Sequence, residues 1–595
     1  MEMNSNEKIQ IVGTNIGEKA NLIWNVANSL FGAYKPHEYG LVILPMAVIK
    51  RFHDCLLPTR DKVLETYDKV KKLAVKDGFL RKASGYRFYN TSNYTFEKLK
   101  ADPENIKGNF EDYIHGFSEN VIDILANMGF FTQIERMSDA GVLYQVISDF
   151  CDDDADMNPD RISAVDMGYV FENLVQRFSE SYDEEAGAHF TSRDIIYLMC
   201  DLLTEDSNFT EEDAAAKTVY DMAMGTSQML TCMEERIHAL DNNAEIICYG
   251  QEINPFTFGI AKADMLIRGG DPENMRFGTT LNDDKFSGYT FDYIISNPPF
   301  GIDWKREATD VEAEYKKGDA GRFGVGLPAK SDGQMLFLLN GLAKLKDTGR
   351  MAIIQNGSSL FTGDAGSGQS EIRRYLIESD WLDAIVQLPN DSFYNTGIAT
   401  YIWIITKDKP ESHREQVLLI DASQCYEQRR KPIGNKRVDI SEACRNLIVK
   451  AYGAYISRDY TYEISEGKSI ICKCKVMDSV SLGYNKITIE SPELDENGDP
   501  IMKGKKLVAD KRKRDTENVP LDEDIDDYFN REVLPYRPHA WIDRNKTKVG
   551  YEIPFTRTFY EYKELEPAAD IAKRIEEHEH SMMAKLHELF GNGGK

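Results

Sequence analysis

Asn297-Pro298-Pro299-Phe300 closes an apolar run, Tyr293-Ile294-Ile295-Ser296, that follows Phe291-Asp292. Two consecutive prolines donate no backbone N–H and fix their own φ, and the residue before each proline is pushed to extended geometry. Such a turn neither continues a sheet nor starts a helix freely. It holds one side-chain amide, one or two outward carbonyls and one aromatic ring in fixed relation. That set suits a flat substrate bearing an amino group. The plain alternative is a strand-ending loop with an ordinary hydrophobic Phe, and four residues alone leave both readings open.

The elements around the turn narrow the choice. From Lys217 the pattern is α/β. A short strand, 218–220, ends at Asp221, and a helix starts near Met229. The next strand, 246–250, ends at Gln251-Glu252 and is followed by a helix over 255–268. Runs at 291–296, 351–356, 382–388 and 399–406 continue the strand series. Strands alternating with helices predict a parallel sheet covered on both faces. Ligands of such sheets bind at the carboxyl ends of the strands. Asp221, Glu252 and Asn297 all fall at predicted strand ends, so the three line one edge of one sheet.

A carboxylate in the place of Glu252 is where nucleotide-binding sheets grip a ribose diol. Its plain alternative is a favourable charge at a helix start, below ~1 kcal/mol when exposed. The loop 221–228 carries only Gly225, not the Gly-x-Gly-x-x-Gly of dinucleotide folds. No diphosphate cradle is present, which disfavours a nicotinamide dehydrogenase. Nucleosides without a diphosphate remain, S-adenosylmethionine being the commonest. An amine such as that of adenine would donate to the Asn297 side-chain oxygen and the Pro298 carbonyl, which localises its lone pair. Positioning then supplies much of the rate. Phe300 could stack on the base for roughly 1–3 kcal/mol, and flipping a base from a duplex costs roughly a few kcal/mol. No Ser-His-Asp spacing and no metal-ligand cluster stands out. Cys472-Lys473-Cys474 is too tight for a zinc pair.

The remaining chain sets the frame. It has 595 residues, enough for several domains. Its formal net charge of −27 argues that, if nucleic acid is the substrate, another chain supplies most of the grip. The nine cysteines have no framework spacing, and the N-terminus lacks a signal-peptide core, which points to the cytosol. No apolar run is long enough for a membrane span.

Residues 1–155 read as a helical domain, with a helix over 41–57 broken only by Pro45. Residues 156–410 read as the α/β domain, 411–560 as a mixed extension and 561–595 as a terminal amphipathic helix for partner contact. Before the first strand lies Ala188-His189-Phe190-Thr191-Ser192-Arg193, in which Thr191 or Ser192 can cap the helix that follows. His189 alone reads as a loop histidine. The glycine-rich 301–333 segment reads as a substrate-covering flap. Lys511-Arg512-Lys513-Arg514 reads first as a solvated loop and second as a phosphate contact.

Taken together, Asn297-Pro298-Pro299-Phe300, Asp221 with Gly225, and Gln251-Glu252-Ile253-Asn254-Pro255 resemble the amino-adenine DNA methyltransferases. More narrowly, the chain is similar to the modification subunit of type I restriction-modification systems. Ile372-Arg373, Leu388-Pro389 and the 393–398 segment match that family's later motifs. The resemblance implies a Rossmann-like S-adenosylmethionine-dependent methyltransferase domain behind a helical N-terminal domain. It implies N6-adenine methylation of double-stranded DNA, with Asn297, Pro298, Pro299 and Phe300 catalytic. Two such subunits assemble with one specificity subunit, and restriction subunits can join. Cofactor contacts are implied for Ala188, His189, Phe190, Thr191, Ser192, Arg193, Asp221, Met224, Gly225, Thr226, Ser227, Gln228, Glu252, Asn254 and Leu281. Two other readings stand beside this one: a non-catalytic scaffold with an altered 221–228 loop, and a methyltransferase acting on protein or RNA.

Overall fold

In the computed structural model the helix Gly40–Leu56 is the axis of the N-terminal block, buried from Val42 to Leu56. Two of its buried cations find partners. Lys50 Nζ pairs with Asp54 Oδ1 at 2.6 Å, and Arg51 donates to the Met157 and Ile162 carbonyls. Pro45 lies inside this helix without breaking it. One missing N–H near the helix start is offset by burial of the flanking turns. Residues 1–19, 22, 153–154, 182–190, 206–215, 395, 466–467, 497–498, 505, 563–565 and 591–595 lie outside the described structure. The chain divides into two units, Met1–Ile553 and Pro554–Lys595.

The helical core does not end near residue 155. Met167, Val170, Phe171, Leu174 and Val175 of the helix Ala164–Ser181 belong to it. So do Ile260, Ala263, Leu266 and Ile267 of the helix Pro255–Ile267, which also flanks the central sheet. The helical block and the α/β body thus share a helix.

The β-branched and aromatic runs form the sheet. In chain order its strands are β1 (Lys217–Asp221), β2 (Ile246–Glu252), β3 (Met275–Phe277), β4 (Phe291–Ser296), β5 (Leu345–Asn356), β6 (Leu382–Gln387), β7 (Thr400–Thr406) and β8 (Gln416–Asp421). A separate two-stranded ribbon, β9 (Glu427–Ile433) and β10 (Lys436–Asp439), interrupts the series before β11 (Asp459–Ser465) and β12 (Lys468–Asp478). The ten-stranded order is β11-β12-β8-β6-β7-β5-β4-β1-β2-β3. β7 is antiparallel to both β5 and β6, and β12 is antiparallel to β8 and β11, whereas the other pairs are parallel. This is a Rossmann-like methyltransferase sheet. A boundary at 410 falls inside it, because β8 pairs with β6 from Ala384↔Leu418 to Gln387↔Asp421. The change of composition there marks the approach to a sheet edge, where β11 exposes Tyr462 and Ile464.

Beyond β12, Gly483–Glu490 is the centre of a smaller antiparallel sheet with Asp515–Pro520, Trp541–Ile542 and Lys548–Tyr551. Arg373 fastens it to the body, donating to the carbonyls of Tyr551, Ser359 and Thr362 at 2.7, 2.9 and 3.0 Å. Burial pulls this guanidinium down to about 10. The basic run after Asp510 is partly taken up locally, Arg512 on Asp510 and Arg514 on Glu490.

The 301–333 segment, read as a substrate-covering flap, is folded, and its Ile302, Asp303 and Glu307 line a cavity. It contains the helix Ala308–Tyr315, and Trp304, Val311 and Phe323 are buried. In the second unit the helix Ala568–Phe590 leaves Ile571, Ile575, Met582, Met583 and Leu586 exposed. Among the described residues no helix is long and apolar enough to cross a membrane.

Candidate active site

Asp221 ends β1 and Ser296 ends β4, and the two strands are neighbours. Asp221 Oδ1 accepts from Ser296 Oγ at 2.7 Å and from the Ala223 N–H at 3.0 Å. The carboxyl is buried, which pushes its pKa up to about 7 against the two hydrogen bonds that lower it. Glu252, ending β2, shapes the loop after β1. Its Oε2 accepts from the Gly225 N–H and its Oε1 from the Asn254 N–H, both at 2.7 Å. The loop turns through two left-handed residues, Gly225 at φ +53 and Ser227 at φ +65. Only the glycine adopts this geometry without steric cost.

A third segment closes the floor. Thr280 Oγ1 donates to the Met222 carbonyl at 2.5 Å. From the folded insertion, Arg322 spends all five N–H groups at one place. Nη1 donates to the Thr280 carbonyl at 2.7 Å and to Asn340 Oδ1 at 3.0 Å. Nη2 donates to the Leu281 carbonyl at 3.1 Å, and Nε and Nη2 together grip the Glu314 carboxylate. Gly321 and Gly324 let the insertion fold tightly on itself around Arg322, since a Cβ on either would meet the Glu314 or Gly318 carbonyl at about 2 Å.

Asn297 follows β4 directly. Its Nδ2 donates to Thr191 Oγ1 at 2.9 Å. Its Oδ1 is buried and has no hydrogen-bond partner among the described residues. An unpaired buried acceptor is costly unless something fills it. Asn297 Oδ1 therefore stands as a prepared acceptor at the edge of a cavity that Thr191, Asp221, Glu252, Asn297 and Pro299 line together. Asp303 and Glu307 line it from the insertion side, so four acidic residues line one cavity. That favours a ligand carrying positive charge.

Residues 163–485 match the family model for N-6 DNA methylases, and residues 19–150 match that of the HsdM N-terminal domain. The chain belongs to the N-6 DNA methylase family. Curated relatives of the chain are methylase subunits of type I restriction enzymes. It is 25% identical over 384 residues to the methylase subunit of the type I restriction enzyme MjaIX of Methanocaldococcus jannaschii, covering 64% of this chain and 62% of that one. It is 30% identical over 265 residues to the HindI methylase subunit of Haemophilus influenzae, covering 43% and 54%. The matched regions thus span 54 to 62% of the length of these curated relatives. The type I methyltransferase subunit from Streptococcus thermophilus shares the fold, with a TM-score of 0.61 and 20% identity over 78% of this chain and 97% of that one.

In this N-6 DNA methylase chain, Met224, Gly225, Thr226, Gln228 and Leu281 also line the cavity. Four of the residues given cofactor contacts, Ser192, Arg193, Ser227 and Asn254, are not among those lining this cavity. Ser192 holds the N-cap position of the helix Arg193–Thr204 without a side-chain cap bond. Arg193 is drawn into ion pairs with Glu172 and Glu235 and stacks 3.5 Å over the Tyr169 ring. Asn254 caps the helix Pro255–Ile267, accepting from the Phe256 and Thr257 N–H groups. Ser227 buries its hydroxyl at the loop's second left-handed turn. Ala188, His189 and Phe190 lie outside the described residues. Half-buried Phe300 packs on the sheet core. Sequence reasoning missed Thr280 and Arg322. The glycines around Arg322 were the available signal, because a guanidinium between close-packing glycines is positioned to reach backbone carbonyls.

Proposed function

We propose that this chain is the subunit that methylates the N6 amino group of adenine in double-stranded DNA, using S-adenosylmethionine, within a type I restriction-modification complex. The unpartnered, buried Asn297 Oδ1 at the edge of a cavity lined by four acidic residues carries this reading. S-adenosylmethionine, when bound, supplies a methyl group made electrophilic by a sulfonium. The residues present fit it: Glu252 retains lone pairs for a ribose diol beyond its two backbone bonds, and Asp221 and Glu252 supply negative potential. Thr191 holds the Asn297 amide by its nitrogen, so the oxygen faces the substrate amine. The Pro298 carbonyl is the second acceptor in this scheme. Both acceptors draw the amine hydrogens and leave the nitrogen lone pair for the methyl group.

The partner reading rests on two features. The chain is acidic overall, and the exposed apolar row of the helix Ala568–Phe590 suits burial against a specificity subunit. The test is tritiated methyl transfer to DNA by the reconstituted complex. Asn297→Ala is expected to abolish transfer while calorimetry still detects cofactor. Absence of methyladenine from the wild-type complex with an active specificity subunit overturns the proposal.

A further inference from the structure

Residues 429–437 read Arg-Arg-Lys-Pro-Ile-Gly-Asn-Lys-Arg, five cations and no acid, in a chain of net charge −27. They make up most of the β9–β10 ribbon, which begins at Glu427 and ends at Asp439, pairs from Glu427↔Asp439 to Ile433↔Lys436 and turns at Gly434 with φ +54. Two of the five cations anchor it. Arg429 pairs with Asp439 across the ribbon, and buried Lys436 pairs with Asp194 Oδ2 at 2.9 Å and donates to the Ser392 carbonyl at 3.1 Å. The other three, Arg430, Lys431 and Arg437, are exposed.

The ribbon's place in the fold gives those three a direction. β8 runs parallel to β6, and β7 is antiparallel to both β6 and β5 while β4 is parallel to β5. β8 therefore ends on the same sheet edge as β4, and the ribbon follows β8 on that edge. Its backbone is tied down there, with the Asn435 N–H on the Tyr394 carbonyl and the Arg437 N–H on the Asp391 carbonyl, each at 2.9 Å. Asp194, the partner of Lys436, is three residues past Thr191, whose hydroxyl holds Asn297. An anchored basic ribbon thus stands on the reacting side of a sheet in a chain of net negative charge.

We infer that the β9–β10 ribbon is a phosphate clamp, in which Arg430, Lys431 and Arg437 contact the DNA backbone flanking the target adenine. This inference rests on the DNA-methyltransferase reading above. Phosphate contacts position a duplex without reading its sequence. They fit a chain that leaves sequence choice to a partner. Anchoring by Lys436 and Arg429 means the three exposed cations are held on a fixed frame. A two-stranded ribbon is also of a size that the DNA major groove admits.

The test uses the reconstituted complex and a duplex containing its recognition site. The triple variant Arg430→Gln, Lys431→Gln, Arg437→Gln is compared with a variant keeping charge, Arg430→Lys, Arg437→Lys. For the glutamine variant the KM for DNA is expected to rise about tenfold, and the slope of log affinity against log salt to become shallower by about 2 to 3. Cofactor affinity and kcat at saturating DNA stay within twofold, and the lysine variant keeps the wild-type slope. An unchanged slope and KM in the glutamine variant overturn the inference. Loss of the specificity subunit from the glutamine variant, seen by sedimentation, also overturns it by making the ribbon a protein contact. A wild-type complex that neither binds nor methylates DNA would instead remove the methyltransferase reading, and this inference with it.

Discussion

Asn297 Nδ2 donates to Thr191 Oγ1 at 2.9 Å, which commits the amide nitrogen and leaves Asn297 Oδ1 buried without a partner among the described residues. Thr191 is a positioning residue in this geometry. Thr191→Val should lower kcat by about 10- to 100-fold, equivalent to roughly 1.4–2.7 kcal/mol of lost organisation. Cofactor affinity should change less than kcat, and Thr191→Ser should recover most of the rate because it restores the hydroxyl. Steady-state methyl-transfer kinetics with calorimetric cofactor binding measure both. Equal losses in the Val and Ser variants would assign Thr191 a packing role only.

Arg322 joins the insertion to both loops of the cavity, directly through the Thr280 and Leu281 carbonyls and through Asn340, which donates to Met222 Sδ. Arg322→Met strips the partner from Glu314 and leaves these carbonyls unpaired. The pair is only partly buried, so losing its charge-assisted bonds costs about 1–3 kcal/mol. A lowered thermal midpoint is therefore expected, together with weaker cofactor binding. Arg322→Lys restores one charge but not the fork, so it should recover stability more than cofactor affinity.

Asp221 is expected to make binding of S-adenosylmethionine depend on pH. Its folded pKa, about 7, lies above the ordinary value of 3.8. The folded chain therefore holds more protons than the unfolded chain between those values, and the stability due to Asp221 falls as pH rises through that window. A cationic ligand favours the ionised carboxylate. Affinity for S-adenosylmethionine should rise between pH 6 and 8 with proton release, visible by calorimetry in buffers of different ionisation enthalpy. Asp221→Asn should flatten the profile.

The helical block carries a switch of opposite sign. His53 is buried against the Phe96 ring edge with Nδ1 2.9 Å from Tyr113 Oη, and burial lowers its pKa from 6.5 to about 3. The unfolded chain then binds a proton the folded one does not. Stability is full above pH 6.5 and falls below it by about 1.4 kcal/mol per pH unit from this group. His53→Gln should remove one proton from the pH slope of unfolding between pH 6 and 4, and exchange protection of Gly40–Leu56 reports it directly.

Strand ends were readable in the sequence because β-branched runs followed by a polar residue mark where a parallel sheet presents its ligands. Asp221, Glu252 and Asn297 fall on one edge for that reason. Side chains serving distant partners were not readable. Arg193 looks like a ligand contact until Glu172 and Glu235 arrive from other helices. Arg322 acts on carbonyls about 40 residues before it, a pairing no local pattern encodes. The basic ribbon is not legible locally because a turn divides its charges between two strands, whereas the contiguous run at 511–514 is partly taken up in local salt bridges.

The helix Pro255–Ile267 contributes Ile260, Ala263, Leu266 and Ile267 to the core of the N-terminal helices. During synthesis those helices leave the ribosome well before this one is made. Their apolar surface therefore stays uncovered until about a hundred further residues have been added. A fragment cut at the apparent domain end would lack its own lid, and the nascent chain passes through a window in which that surface is open to non-native association.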